Sequence, residues 1–197
     1  MMKMRKGCTV PFPEKLFEAY EVEGNSILAN VGADKIEEML LHFIFAHEEP
    51  QFFILELPAN LANEEKIKEG TIDKFHEDVY YIDGCSPEQA QAILTEVGDV
   101  LINDGLCSFG FGCHKSGDEI MFGKYNVVTI FSRNIAGFES FFEKFHISRV
   151  DHLLTAWDTF SQDHPGISER YEANGKTVFD IPELLKDRGI YFAQRRE

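Results

Sequence analysis

Leu106-Cys107-Ser108-Phe109-Gly110-Phe111-Gly112-Cys113-His114 alternates with a period of two. Successive side chains of a strand point to opposite faces, so Cys107, Phe109, Phe111 and Cys113 form one thick apolar face. Ser108, Gly110, Gly112 and His114 leave the other nearly bare. The turn letters Lys115-Ser116-Gly117-Asp118 follow, and Ile120-Met121-Phe122 returns as a second strand, which predicts a hairpin. Tyr125 to Phe131 reads as a third strand of the same sheet. A glycine face of this kind lets a helix or another backbone approach the sheet closely.

Working outward, Ser86-Pro87-Glu88-Gln89 is the clearest local signal. Ser86 can accept from the amide of Gln89, Gln89 can reach back to the amide of Ser86, and Pro87 occupies the first helical position, where a missing N–H costs nothing. The helix from Pro87 to about Asn103 carries the stripe Ala90, Ile93, Leu94, Val97 and Leu101, and Gly105 is placed to terminate it. A second helix, with Asp34 as its cap and Ile36, Met39, Leu40, Phe43 and Ile44 as its apolar face, must stop before Pro50. Phe52 to Leu57 and Val79 to Ile82 read as strands, and the polar, acidic residues 59–78 as a connection that includes Gly70.

Beyond the hairpin, Phe138, Phe141, Phe142 and Phe145 have helical spacing, and Val150, Leu153, Leu154 and Trp157 repeat it. A break at Pro165-Gly166 is followed by a short strand at Val178-Phe179, a helical turn from Pro182 to Lys186 and a last strand from Ile190 to Ala193. Strands and helices mix without the regular alternation of a doubly wound sheet. The expectation is therefore an α+β fold, a largely antiparallel sheet with its central hairpin at about 106–131, covered by amphipathic helices on one side. Residues 1–13 are set apart as an N-terminal extension, and residues 14–197 as one domain.

A chain of 197 residues, 44% hydrophobic and with 18 Phe, can build a core despite a net charge of −15. That charge is unevenly placed: residues 14–103 hold 20 Asp/Glu against 5 Lys/Arg, whereas residues 104–197 hold 14 against 11. A one-sign field repels polyanions and steers basic partners. Nucleic-acid binding is disfavoured, because phosphate contacts need Lys/Arg stripes. No apolar run is long enough for a membrane span, and Gly7 to Pro13 supplies no secretory apolar segment after Lys3, Arg5 and Lys6, so a cytoplasmic protein is expected.

The chemistry-bearing candidates are few. Cys8, Cys85, Cys107 and Cys113 form no CxxC pair and are expected as free thiols, with no metal site and no cofactor. Cys85 precedes a helix start, whose dipole favours a thiolate, although Asp83 opposes it. His114, Asp118 and Glu119 flank the hairpin turn and could set an imidazole beside two carboxylates for acid/base work. Gly105, Gly110 and Gly112 follow a helix and lie in a strand, the reverse of a phosphate loop. His47-Glu48-Glu49 has Gln51 where a zinc-protease helix needs its second histidine, and no Gly-x-Ser-x-Gly elbow is present.

The acidic residues Glu48, Glu49, Glu64, Glu65, Glu69, Asp73, Glu77 and Asp78 remain as a docking surface for a basic protein. In size and acidity the chain resembles, in type alone and through no motif, bacterial immunity proteins that neutralise basic nuclease toxins. The expectation is thus a non-catalytic acidic binding module. A small hydrolase or transferase using His114, Asp118 and Glu119, with Cys85 as a further nucleophile candidate, is the alternative.

Overall fold

A computed structural model describes residues 2–59 and 76–196. In chain order its strands are β1 (Cys8–Thr9), β2 (Ala19–Glu23), β3 (Ser26–Asn30), β4 (Gln51–Pro58), β5 (Glu77–Cys85), β6 (Ser108–Cys113), β7 (Glu119–Phe122), β8 (Val127–Phe131), β9 (Ser148–Arg149), β10 (Ile167–Ser168) and β11 (Tyr191–Arg196). The α-helices are α1 (Ile36–Ala46), α2 (Pro87–Asn103), α3 (Ala136–Lys144) and the single turn α4 (Ile181–Leu184). Nine strands form one sheet in the order β11-β5-β4-β6-β7-β8-β3-β2-β9, antiparallel except for the β2–β9 pair, while β1 and β10 make a separate small ladder. The fold is therefore mixed α+β, with a mostly antiparallel sheet packed by helices.

The hairpin alternation is realised at the centre of this sheet from Cys107 to Phe111, whereas Cys113, expected on the same face, is buried outside that core. Cys107, Phe109 and Phe111 of the β6 segment, Phe53 and Leu55 of β4, Ile120 and Phe122 of β7 and Val128 and Ile130 of β8 all point into one core with α1, α2 and α3. The α2 capping box forms as expected, with Ser86 Oγ accepting from Gln89 N at 3.3 Å and Gln89 Oε1 accepting from Ser86 N at 2.8 Å. The phenylalanine stripe of α3 packs on the sheet, and Phe142 stacks on Tyr20 with centroids 4.1 Å apart.

Several expectations fail locally. Helix α1 starts at Ile36 behind Lys35, and no side chain, Asp34 included, caps it. Residues 150–154 are not helical despite their spacing, because their backbone is used on the sheet. Val150 N donates to Tyr20 O at 2.8 Å, Leu153 N to Glu21 Oε2 at 2.7 Å, and Leu154 O accepts from Asn30 Nδ2 at 2.8 Å. Only a 3₁₀ turn, Ala156–Thr159, follows. Val178-Phe179 is also a 3₁₀ turn, started by Thr177 N donating to Asp180 Oδ2 at 2.8 Å. The β2–β3 hairpin has no counterpart in the sequence reading. Of the expected 59–78 connection, residues 77 and 78 already belong to β5 and residues 60–75 lie outside the described residues.

Residues 2–10 do not hang from the fold. Met2, Cys8 and Val10 join Leu16, Tyr125 and Ala156 in a second apolar cluster. Arg5 is fully buried, donating from Nε to Ile102 O at 2.9 Å and from its two terminal nitrogens to Leu101 O and Gly123 O, each at 2.7 Å.

Candidate functional site

The second face of the sheet carries the surface troughs of the molecule. Over β2 and β3 it is covered by residues 153–154. Over β5, β4, β6 and β7 lie the side chains that alternate with the core: Val79, Phe52 and Ile54 are buried, with Tyr81 and Met121 partly buried against them. Glycine shapes this region. A Cβ at Gly110 would collide with the Ile120 carbonyl oxygen, and one at Gly112 would collide with the Phe52 ring, so the glycines admit a close neighbouring strand and an overlying ring respectively.

Register turns this into rows. Tyr191, Tyr81, Ile54, Gly110 and Met121 are successive cross-strand partners, as are Phe52, Gly112 and Glu119 in the next row. β6 contributes no side chain at positions 110 and 112, and the Phe52 ring from β4 and the Met121 thioether from β7 fill the space above them. Two adjoining shallow troughs of about 530 and 550 Å³ lie on this face, with Tyr81 and Glu119 lining both. The first is completed by Asp83, His114 and Asp118, the second by Glu56, Glu77, Lys124, Trp157 and Arg196.

The expected hairpin trio is split among different partners. His114 Nε2 lies 3.2 Å from Asp83 Oδ1, and Asp83 Oδ2 accepts from the Tyr191 hydroxyl at 2.6 Å. These hydrogen bonds hold the Asp83 carboxyl below its ordinary range, Tyr191 contributing most. Asp118 instead meets His47 Nε2 at 3.1 Å, while His47 Nδ1 faces Phe43 O at 2.8 Å, which ties the end of α1 to the hairpin turn. Among the described residues the Glu119 carboxylate makes no hydrogen bond or ion pair, although the Arg196 charge acts on it. Burial raises its pKa, and neighbouring Glu56 adds to this. Glu56, raised first by burial, does have a partner, the Arg196 guanidinium.

Cys85 lies at the helix start but turns inward and is 3% exposed. Burial, then the Asp83 charge, raises its thiol pKa, so the dipole does not produce a reactive thiolate there. Cys113 lines the first trough, yet burial pushes its thiol up to about 12. All four cysteines are free and buried. Among the described residues no three His, Cys, Asp or Glu side chains converge as metal ligands would, and no helix is long and apolar enough to cross a membrane.

Of the acidic docking candidates, Glu48 is exposed and Glu77 is half-buried in the second trough, whereas Glu49 accepts from the Ser116 amide at 3.1 Å. Asp78 is buried in a two-point ion pair with Arg195, at 2.6 and 2.9 Å. Glu64, Glu65, Glu69 and Asp73 lie outside the described residues. The sequence reading missed Phe52, Tyr81, Asp83 and Tyr191 as site residues. The available signal was Glu56, a single acid inside the apolar run Phe52 to Leu57, which marks one side of that strand as not wholly core. The chain matches no protein-family model, no curated protein and no solved structure.

Proposed function

We propose that this protein is a non-catalytic binding module and that the acidic troughs on the sheet face opposite the helices dock a basic protein. One observation carries the reading: an apolar floor of Phe52, Ile54, Tyr81 and Met121 is rimmed by Asp83, Asp118, Glu119 and Glu77. A buried apolar centre with a charged rim is the anatomy of a protein interface, in which the centre sets affinity and the rim sets encounter rate. The net charge of −15 acts in the same direction at long range.

The Asp83–His114 pair favours a second reading, a hydrolase or transferase with His114 as general base. In that reading His114 would activate water, because burial keeps the Cys113 thiol in the same trough protonated at neutral pH.

The test is the association rate with a partner captured from the source cell. Reversing Glu48, Glu77 and Glu119 to Lys should slow association severalfold, and raising ionic strength toward 0.5 M, where the screening length is about 4 Å, should do likewise. An association rate indifferent to both changes would leave the charge as a solubility device.

A further inference from the structure

The acidic side of the sheet already carries a basic segment, and it is the chain's own. Strand β11 ends in Gln194-Arg195-Arg196 and lies at one end of the nine-stranded order, its ladder to β5 being its only one among the described residues. Arg195 makes the two-point pair with Asp78, Arg196 pairs with Glu56, and the Tyr191 hydroxyl donates to Asp83 at 2.6 Å. Apolar burial adds little to these ties. All six residues of β11 are exposed, and none of them joins an apolar core cluster. Phe192, 52% exposed, meets only the edge of the Tyr80 ring, with centroids 5.7 Å apart. The ladder is itself irregular, its register shifting between Phe192 and Gln194. Strand β5 beneath it is anchored instead, with Val79, Ile82 and Cys85 buried. A strand held by solvent-facing arginines and one irregular ladder opens locally, below the free energy of global unfolding.

We propose that β11 is an internal occupant of an acidic strand-docking edge, and that the basic partner binds by displacing it with an extended segment of the same chemistry, an aromatic pair followed by a pair of arginines. The inference rests on the docking reading above. Once β11 leaves, the edge of β5 offers unpaired backbone donors and acceptors, the template on which another chain can add a strand. Asp78 and Glu56 lose their cations at the same moment. Their rows lie on opposite faces of the sheet, since Asp78 is paired with core-facing Leu57 and Glu56 with Val79 of the other face. Two consecutive arginines of a strand answer both, because successive side chains point to opposite faces. The exchange breaks and remakes the same kinds of bond, so partner concentration decides which segment holds the edge.

The experiment uses the full chain and a blocked peptide of residues 190–196, followed by amide NMR. At about 50 mM salt the β11 amides bonded to β5 should exchange with solvent at least about 100-fold faster than those of the β4–β6 ladder, and faster still at about 0.5 M. The peptide should shift the amides of residues 77–83 saturably, while the chain's own β11 peaks move to disordered positions to the same extent. Arg195→Gln with Arg196→Gln in the chain weakens the internal competitor and should strengthen peptide binding about tenfold, and the same two changes in the peptide should abolish it. Should the double variant not fold, the titration of the parent chain decides alone. β11 amides that exchange in step with the core, a peptide that binds without releasing β11, or no peptide binding would each overturn the displacement. The docking reading fails separately, through a partner association rate that ignores salt and charge reversal.

Discussion

Glu119 is a carboxylate that the fold bears at a cost. Burial and the neighbouring Glu56 raise its pKa in the folded protein above the ordinary 4.5, so folding favours the protonated form. The stability linked to such a group is present below its unfolded pKa and is lost as pH rises through the folded value. Glu119→Gln should therefore raise the denaturation midpoint at pH 7, and the gain should vanish below about pH 4.5, where both states carry the proton. A midpoint difference that persists unchanged into acid would mean that charge is not the cause. Asp83 has the opposite sign: its carboxyl is held low by Tyr191 and His114, so its contribution is present above its ordinary value and lost in acid. At this scale the sequence is a partial guide. It places Cys85 at the helix start and His114 at the hairpin end, but which way each side chain turns depends on strands far away in the chain.

Elements whose signals are local were legible; those decided by distant partners were not. The capping box of α2 lies within four residues, and both of its hydrogen bonds form where the letters put them. Ser86 additionally donates to Glu88 Oε2 at 2.8 Å. Ser86→Ala should cost about 1 kcal/mol in denaturant unfolding, and an unchanged midpoint would mean that Glu88 and the first turn hold the helix start without it. Residues 150–154 show the converse. Their apolar spacing is as helical as that of α3, but Tyr20, Glu21 and Asn30 offer backbone and side-chain partners that an isolated helix could not match. The aromatic residues of the site were hidden for the same reason. Phe52, Tyr81 and Tyr191 come from three strands, and only the register of β4, β5 and β11 brings them together.

On the scale of the whole molecule, the charge asymmetry conceals how the chain is tied together. Lys3, Arg5 and Lys6 look like a basic leader to an acidic domain, yet residues 3–7 reach four separate parts of the fold. Ala33 N donates to Lys3 O at 2.7 Å, Asn126 Oδ1 accepts from Arg5 N at 3.0 Å, Gly7 N donates to Asn103 O at 2.7 Å, and Glu169 N donates to Gly7 O at 2.8 Å. Arg5 supplies the strongest tie. The last carbonyls of a helix have no partner within it and carry the negative end of its dipole, and the Arg5 guanidinium caps two of them, Leu101 O and Ile102 O, while reaching across to Gly123 O beside the β7–β8 connection. Arg5→Met keeps most of the volume but strands the buried Ile102 O, leaves Leu101 O only the weak Cys107 thiol donor and takes the partner of the part-buried Gly123 O, and each lost partner in the interior costs about 1–3 kcal/mol. The loss should therefore be about 3 kcal/mol or more, read as a fall in the denaturation midpoint at constant slope. Deleting residues 2–10 removes the donors and the apolar cluster around Tyr125 together, so the shortened chain should lose its cooperative transition. If the deletion mutant melts like the parent, the buried guanidinium caps a helix end that would have held without it, and the first ten residues are a strap laid on a finished domain.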